Sequence, residues 1–353
     1  MDMAKRPPRK KYYRYRGPSA ALIRFKKLAL LATFLALVLV VLGAYTRLSD
    51  AGLGCPDWPG CYGQISVPTT ASDIWTAEQA YPERPLEPAK ARIEMLHRYL
   101  AGTLGLLVMA LALLALLNRN EKKQPVMLPV LLVPLIVFQA LLGMWTVTLL
   151  LKPVIVVAHL LGGMATLALL WWLAMTPARE RTAAGDPLLA KASLLALLVV
   201  IAQIALGGWT SSNYAALACP DFPTCQGAWW PEADFESGFD LHHPLDMDVR
   251  NDYAGGVLEH PARVAIHLSH RIGALVVVFV NLILGFGLLT HSESNAVAQS
   301  GIVVMAITLF QVLIGIAIVS LGLPLLLATA HNAMAALLLL SLLTTHRLLR
   351  LKL

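Results

Sequence analysis

The sequence predicts an all-α integral membrane protein in which eight transmembrane helices form two four-helix bundles, related as parallel repeats. Composition gives the first indication, because 57% of the 353 residues are apolar and only 14% are charged. The mean hydropathy is +0.65, and a soluble domain of this size needs far less apolar surface. The second indication is a set of eight apolar runs, and the third is a group of motifs that occurs in both halves of the chain.

Each apolar run is long enough to cross a bilayer, which takes roughly 20 residues of helix. The predicted spans lie near residues 28–46, 94–117, 126–148, 153–175, 191–210, 265–290, 300–321 and 325–345. Ten of the 28 Lys and Arg residues precede residue 28. We interpret this excess as a basic tail that flanks the membrane and precedes an uncleaved membrane anchor. We expect no nucleic-acid partner.

The orientation follows from the positive-inside rule, which places the basic segments in the cytoplasm. Both termini are then cytoplasmic, and two long loops lie on the outer side. The predicted parts are a basic tail at 1–27, an N-terminal bundle at 28–176 with a first cysteine loop at 48–92, a cytoplasmic linker at 177–190, a C-terminal bundle at 191–345 with a second cysteine loop at 211–264, and a tail at 346–353.

Motifs at matching spacings show that the two halves repeat. The strings CPDWPGC and CPDFPTC begin at Cys55 and Cys219, and a Gln precedes a His by twenty residues both at 139 and 159 and at 311 and 331. Agreement at several positions indicates an internal repeat. Because each half starts inside and runs through four spans, the halves are predicted to be parallel repeats about an axis along the membrane normal.

Four histidines align in the repeat, namely His97, His159, His270 and His331. Each lies near the outer start of an even-numbered span, so the members of a pair have similar depth on neighbouring helices. This geometry favours axial ligation of a haem iron from both sides. Small residues follow each histidine: Ala101 and Gly102, Gly162 and Gly163, Gly273 and Ala274, and Ala333 and Ala335. The alternatives to haem ligation are that the histidines form hydrogen bonds between helices or that they bind zinc. A structural zinc site requires four converging ligands.

Ionisable residues near these histidines are costly in a membrane and often functional. Glu94 shares a helical face with His97, while Arg98 and Arg271 are candidates for binding haem propionates or for anchoring at the interface. The repeat places His267 opposite Glu94, and we interpret His267 as a packed polar residue, with proton sharing as the alternative. The other histidines, which are expected at solvated surfaces, are His242, His243, His260, His291 and His346.

All four cysteines lie in the outer loops. Four cysteines allow three disulfide connectivities, and the repeat favours the local pairs Cys55–Cys61 and Cys219–Cys225. An oxidising compartment beyond a bacterial inner membrane permits such bonds. Whether the pairs are structural or act as an electron entry point stays open at this stage.

These residues resemble the haem A synthase family. The resemblance rests on Glu94-x-x-His97-Arg98, His270-Arg271, the two Gln and His pairs, and above all Ser49-x-x-Gly52-Leu53-x-Cys55-Pro56-Asp57-Trp58-Pro59-x-Cys61. It covers nearly all of the chain from residue 28 onward. It implies an eight-helix inner-membrane enzyme that oxidises the C8 methyl group of haem O to the formyl group of haem A, which haem-copper cytochrome oxidases use.

The resemblance also implies roles for single residues. His97 and His159 are expected to bracket the substrate haem O iron, and His270 and His331 to ligate the iron of a resident haem b. Glu94 matches the carboxylate beside the substrate site and is the expected catalytic residue. Expected partners are the lipid bilayer, haem O, the haem O synthase that supplies it and an unidentified electron acceptor. The oxygen source and a homo-oligomeric state are left open.

Two other functions fit part of the sequence. A non-catalytic electron carrier with two bis-histidine haem b groups explains the histidines equally well. It does not explain Glu94, which the second half lacks, or the paired cysteine loops. A membrane thiol-disulfide oxidoreductase that uses the cysteines on a quinone explains the loops alone.

Overall fold

A computed structural model describes residues 19–121, 123–176, 186–242, 252–292 and 294–350. Within these ranges the chain forms ten α-helices and no β-strand. In chain order the helices are α1 (Ala20–Leu48), α2 (Ala71–Ala80), α3 (Pro88–Leu117), α4 (Met127–Thr148), α5 (Pro153–Ala174), α6 (Pro187–Ser212), α7 (Phe235–Gly238), α8 (His260–Thr290), α9 (Asn295–Ser320) and α10 (Leu325–Arg350).

Eight of these helices are long and apolar enough to cross a membrane, within the described ranges. The predicted all-α class with eight spans is therefore confirmed. The short helices α2 and α7 lie in the two long loops, where no helix was predicted. Helices α1, α3 and α8 also begin more than one turn before the predicted spans, because their first turns are too polar to register as membrane segments.

Local signals explain where several spans begin. The Ser19 hydroxyl accepts the Leu22 N–H at the start of α1, and the Asp186 carboxylate accepts the Leu188 N–H at the start of α6. Both are N-cap residues, which satisfy backbone donors that have no partner inside the helix. Proline occupies the first turn of α3, α5, α6 and α8, where its missing N–H costs nothing.

The long helices pack in two closed rings. Helices α1, α3, α4 and α5 contact one another in one ring, and α6, α8, α9 and α10 do so in the other. Contacts of α1 with α10, of α5 with α6 and of α5 with α10 join the rings. The domain limits given above and the symmetry axis along the membrane normal stay predictions, although this helix pairing agrees with them.

Polar contacts tie the two halves together on both faces of the helix layer. On the face that carries the cysteine loops, here called the loop face, the Arg47 guanidinium donates to the Ser211 carbonyl at 2.8 Å and to the Tyr214 hydroxyl at 2.9 Å. On the opposite face, the Trp171 indole donates to the Thr344 hydroxyl at 2.9 Å. Polar contacts therefore fix the relative position of the halves at two levels.

One histidine differs from expectation. His346 was predicted to lie at a solvated surface, but it is only 7% exposed, and its Nδ1 lies 2.8 Å from the Ser193 hydroxyl. The prediction was wrong because α10 continues past residue 345 and packs this turn against α6. Parts of the predicted tails and linker (1–18, 177–185 and 351–353), His243 and most of the second loop's extra segment lie outside the described residues.

Candidate functional site

Each cysteine loop is closed by a local disulfide. Cys55 bonds to Cys61 and Cys219 bonds to Cys225, so the predicted pairing is confirmed. In the second loop, the Asp221 carboxylate accepts N–H groups from the turn that follows, including Gly227 at 3.0 Å. The Thr224 hydroxyl and these N–H groups stabilise the charged form and lower the Asp221 pKa to about 2. The carboxylate thus fixes the shape of the loop.

The first loop has the same construction. The Asp57 carboxylate accepts the N–H of Tyr62 at 2.6 Å and of Gly63 at 2.8 Å. Gly63 has a φ of +73°, a conformation that glycine adopts without strain. The loop also lies directly on α3, because a Cβ on Gly54 would fall 2.7 Å from the backbone nitrogen of Ala91. The sequence therefore brings the disulfide into contact with the helix that carries His97.

The two candidate arginines hold these loops on their helices. Arg98 of α3 donates to the carbonyls of Asp57 and Gly60, with the Asp57 bond at 2.9 Å. Arg271 of α8 donates to the carbonyls of Cys219, Asp221 and Thr224 at 2.8–2.9 Å. Propionate binding by Arg98 and Arg271 stays a prediction. Their visible role is to anchor a loop.

Glu94 is buried between the first loop and α3, with 5% of its surface exposed. One carboxylate oxygen accepts the Cys55 N–H at 2.9 Å, and the other pairs with Arg98 one turn along the helix. Gly54 supplies a further backbone donor. Charge-assisted hydrogen bonds of this kind are the stronger ones in proteins. Glu94 therefore links the disulfide directly to the helix of His97.

His267 occupies the corresponding position in the second half. Its Nδ1 lies 3.2 Å from the Cys219 N–H, and its Nε2 lies 3.2 Å from the Nε of Arg271. The residue is 4% exposed. The sequence interpretation of a packed polar residue agrees with this burial, but the contact with the loop was not foreseen.

The second pair of histidines meets across its ring of helices. The ring centres of His270 and His331 lie 6.5 Å apart, with the ring planes inclined by 69°. Imidazole nitrogen bonds to a metal are about 2 Å long. With about 1.2 Å from nitrogen to ring centre on each side, one iron between two imidazoles requires about 6.4 Å between ring centres. The observed spacing therefore fits two axial ligands of one haem iron.

A glutamine supports one of these ligands. Gln203 Nε2 lies 3.0 Å from His270 Nδ1, and the Gln203 Oε1 is buried without a partner. Histidine that binds a metal through one nitrogen usually donates the other N–H to an acceptor. Gln203 departs from this pattern, because its Nε2 also donates to the His270 carbonyl at 2.9 Å, which fixes the amide nitrogen and not the oxygen beside the ring.

The first pair of histidines also lies close together. His97 and His159 are close enough to interact electrostatically, and the Nδ1 of His97 is buried without a hydrogen-bond partner, whereas the His159 ring bonds to the Gln139 carbonyl. Buried polar atoms without a partner are rare and call for a missing neighbour. The unpartnered nitrogen of His97 fits a site that is completed by a bound group.

Glycines on the neighbouring helices make room for all four rings. A Cβ would meet the ring Cε1 at 3.1–3.4 Å at the four positions Gly43 (His97), Gly143 (His159), Gly207 (His270) and Gly315 (His331). Sequence reasoning missed this set and selected small residues beside the histidines themselves. The signal was present, because these glycines align in the repeat, two of them four residues after Gln139 and Gln311.

The small residues selected from the sequence have other neighbours. A Cβ on Gly162 would collide with the Gln139 amide, and a Cβ on Gly273 would collide with the Gln203 amide. Open space surrounds the Cβ position of Gly102. At two of these positions the missing Cβ makes room for glutamine side chains. In the described part of the chain, no three metal-ligating side chains converge on one point.

The fold and these contacts define a class: an eight-helix membrane protein with two paired-histidine sites, each joined to a disulfide loop through an arginine. Residues 26–343 match the family described as Cytochrome oxidase assembly protein. The chain belongs to this family.

Curated relatives give the same result. The chain is 45% identical over 314 residues to "Heme A synthase" of Shewanella oneidensis, covering 87% of this chain and 91% of that protein. It is 30% identical over 335 residues to "Heme A synthase" of Chelativorans sp., covering 89% and 87%, and 26% identical over 317 residues to "Heme A synthase" of Halalkalibacterium halodurans, covering 87% and 91%. The predicted resemblance to haem A synthases is confirmed.

Proposed function

We propose that this protein is a haem A synthase, which oxidises the C8 methyl group of haem O to the formyl group of haem A for cytochrome oxidase assembly. The observation that carries the proposal is the buried contact of Glu94 with Arg98 and the Cys55 N–H, one helical turn from His97. The relatives named Heme A synthase support the same activity.

The first half is the proposed substrate site. His97 and His159 bracket the iron of haem O, and Gly43 and Gly143 leave room for the imidazole rings. Two histidines on different helices would hold the bound substrate in a defined orientation relative to the protein. Positioning of this kind accelerates a reaction because the substrate arrives already oriented.

The second half is the proposed site of a resident haem b. His270 and His331 would hold its iron, as the spacing of 6.5 Å between their ring centres supports. A bound haem b supplies one-electron redox chemistry. Gln203 positions His270 through its Nε2, which contacts the Nδ1 of the ring and donates to the His270 carbonyl.

Glu94 is the proposed catalytic residue. Oxidation of a methyl to a formyl group releases protons, and a carboxylate in a site shielded from water accepts them or stabilises positive charge nearby. Its second role is to hold the Cys55–Cys61 loop, since one of its oxygens accepts the Cys55 N–H. Glu94 thereby holds the Cys55–Cys61 disulfide beside the proposed substrate site. This position supports a role for the loop in electron transfer.

The proposed setting is the inner membrane of a bacterium. Eight apolar helices fit a multi-pass membrane protein. We place both termini in the cytoplasm and the histidine sites toward the periplasm, as the distribution of basic residues suggests. The proposed partners are the haem O synthase that delivers the substrate and an electron acceptor of unknown identity.

The test is chromatography of haems extracted after co-expression with a source of haem O. Wild type is expected to contain haem A and haem b. The variant Glu94→Gln keeps the shape but removes the charge, and it should accumulate haem O or a hydroxylated intermediate. The matched control is Glu87→Gln, at the residue that precedes the same helix, an exposed carboxylate that pairs with Lys90 at 2.9 Å.

Three outcomes would contradict the proposal. Haem b as the only pigment in wild type would favour an electron carrier. Haem A from Glu94→Gln at the wild-type level would remove Glu94 from the reaction. Equal losses of haem A in Glu94→Gln and Glu87→Gln would show that the effect is not specific to the site.

A further test addresses the second haem. Replacement of His331 by Ala should remove haem b, because one axial ligand is lost. The control is His291→Ala, since His291 lies exposed at the opposite face beyond α8. An unchanged absorption spectrum of His331→Ala would overturn the ligand assignment.

A further inference from the structure

A groove opens between the two halves on the side of the helix layer that faces lipid. Its volume is about 440 Å³, within the range of about 300–1,000 Å³ that is usual for small-molecule sites. Its lining comes from both halves and includes Thr33 and Phe34 of α1, Trp171 of α5, and Leu337, Ser341 and Thr344 of α10. It is separate from the histidine sites.

The lining favours a hydrocarbon chain. The few hydroxyl groups there already have partners, because Thr33 donates to Ala29 and Ser341 donates to Leu338 within their own helices. The Thr344 hydroxyl donates to Leu340 and accepts the Trp171 N–H. Because the protons of these hydroxyls are used inside the protein, a polar ligand would find no free donor among them, whereas an alkyl chain would cover apolar surface such as Phe34, which is 66% exposed.

Two cationic side chains lie at one end of the groove. Lys26 precedes Leu30 by one turn of α1, and Arg347 follows Thr344 by one turn of α10. The two side chains are close enough to interact electrostatically, and like charges repel. At a rise of 1.5 Å per residue, both residues lie about 5–6 Å beyond the end of the groove. They are on the face of the helix layer opposite the loop face.

Arg347 is held in place but is not neutralised by the residues described. Its guanidinium donates to the Trp172 carbonyl at 2.6 Å and lies 4.4 Å from the centre of the Trp172 ring. The residue is 9% exposed, and its Nε is buried without a partner. The ion pairs found in the described ranges include neither Arg347 nor Lys26.

We propose that this groove is a binding site for an anionic phospholipid, whose acyl chain lies between α1 and α10 and whose phosphate lies between Lys26 and Arg347. A phosphate offers acceptors to both cations and removes their mutual repulsion. Because the walls belong to different halves, the bound lipid stabilises the contact between them. This inference does not depend on the proposed activity.

The test uses the full-length protein purified in detergent, with native mass spectrometry to count bound lipid. Dioleoylphosphatidylglycerol is expected to bind one molecule per chain more tightly than dioleoylphosphatidylcholine and to raise the melting temperature. The double variant Lys26→Gln/Arg347→Gln should weaken phosphatidylglycerol binding by about twenty-five-fold, since each cation near a membrane surface contributes about a factor of five.

A matched control removes two cations without touching the groove. Lys27 and Arg350 lie on the same helices and the same face, but both are exposed. Lys27→Gln/Arg350→Gln should change the affinity by less than about threefold. Equal weakening in the two double variants would overturn the proposal, because the binding would then reflect net charge alone.

A second variant leaves the cations in place, so that a folding defect at Arg347 does not decide the result. Leu337→Trp fills the groove from an exposed position and should also weaken phosphatidylglycerol binding, with haem content unchanged. Equal binding of phosphatidylcholine, equal protection by glycerol 3-phosphate, or displacement of the lipid by an equimolar isoprenoid quinone would each overturn the proposal.

Discussion

Glu94 and His267 occupy equivalent positions in the two halves, yet they offer different numbers of acceptors to the same kind of donors. In each half a cysteine N–H and an arginine one turn along the helix point at the residue. The two oxygens of the Glu94 carboxylate accept hydrogen bonds from both donors and also from the Gly54 N–H. A neutral imidazole has only one acceptor nitrogen.

The difference separates two tasks. Attachment of the loop to the helix is common to both halves, and a histidine is sufficient for it. Attachment alone therefore does not require a negative charge. The carboxylate of the first half is available for a second task, which we assign to the reaction on haem O. The predictions below test this separation, beginning with the largest effect.

Removal of Glu94 should have the largest effect on stability. Glu94→Ala leaves the largely buried Arg98 without its partner, and breaking a buried ion pair in this way costs about 3–5 kcal/mol. His267→Ala removes a neutral acceptor and should cost about 1–3 kcal/mol. Reversible unfolding in detergent, followed by far-UV circular dichroism, measures both values. Equal losses in the two variants would contradict the difference between the halves.

The control for this measurement is Glu87→Ala. Glu87 forms an exposed pair with Lys90, and surface pairs contribute about 0–1 kcal/mol. A loss of unfolding free energy in Glu87→Ala as large as that in Glu94→Ala would show that the contact of Glu94 with the loop does not stabilise the protein.

Removal of either disulfide should cost a similar amount. The two rings have the same sequence separation of 6 residues, and closing a loop of this length stabilises by about 2 kcal/mol. We expect Cys55→Ser/Cys61→Ser and Cys219→Ser/Cys225→Ser to melt at similar temperatures. Only the first pair should also lower the haem A yield, because only that loop contacts Glu94. Equal loss of haem A in both would make the loops equivalent in function.

Replacement of His267 by Glu should make the second half resemble the first. The new carboxylate accepts both Cys219 and Arg271, and hydrogen bonds to charged groups exceed neutral ones by about 1 kcal/mol. The melting temperature should therefore rise slightly, with no increase in haem A per protein. A lower melting temperature would show that the site is shaped for an imidazole. His267→Gln is the neutral control.

The smallest effect concerns the pH dependence of the second loop. The Asp221 pKa in the folded protein is about 2, below the ordinary value of about 3.9. Because the folded pKa is the lower one, the charged form stabilises the loop above about pH 4, and this contribution is lost as the pH falls toward 2.

Hydrogen exchange at the Gln226 and Gly227 amides measures this contribution. Relative to the intrinsic rate at each pH, protection should fall between pH 4 and 2 in wild type. In Asp221→Asn it should be low throughout. Protection that is independent of pH in wild type would contradict the assigned hydrogen bonds.

The sequence was sufficient to predict the spans, because twenty apolar residues have few structures available in a bilayer. It was insufficient for the first turns of α1, α3 and α8, which extend beyond the apolar runs. The paired histidines and the local disulfides followed from the repeat. The role of Arg98 as a loop anchor did not, since its acceptors are backbone carbonyls, which every residue carries.

The glycines that face the histidine rings show a similar limit. Gly43 and His97 are far apart in the chain. The periodicity of apolar residues within one helix does not show which residue of a neighbouring helix packs against the His97 ring. Burial of His346 depended on the same kind of contact, with Ser193 on another helix. Such pairings arise from packing between helices, which a single sequence does not specify.

The most direct test of the central claim compares the haems extracted from Glu94→Gln and His267→Gln after co-expression with a haem O source. We predict that Glu94→Gln retains haem b and replaces haem A with haem O or a hydroxylated intermediate, whereas His267→Gln retains haem A. The same change in haem composition in both variants, or haem A at the wild-type level in Glu94→Gln, would contradict the assignment of the reaction to the first half.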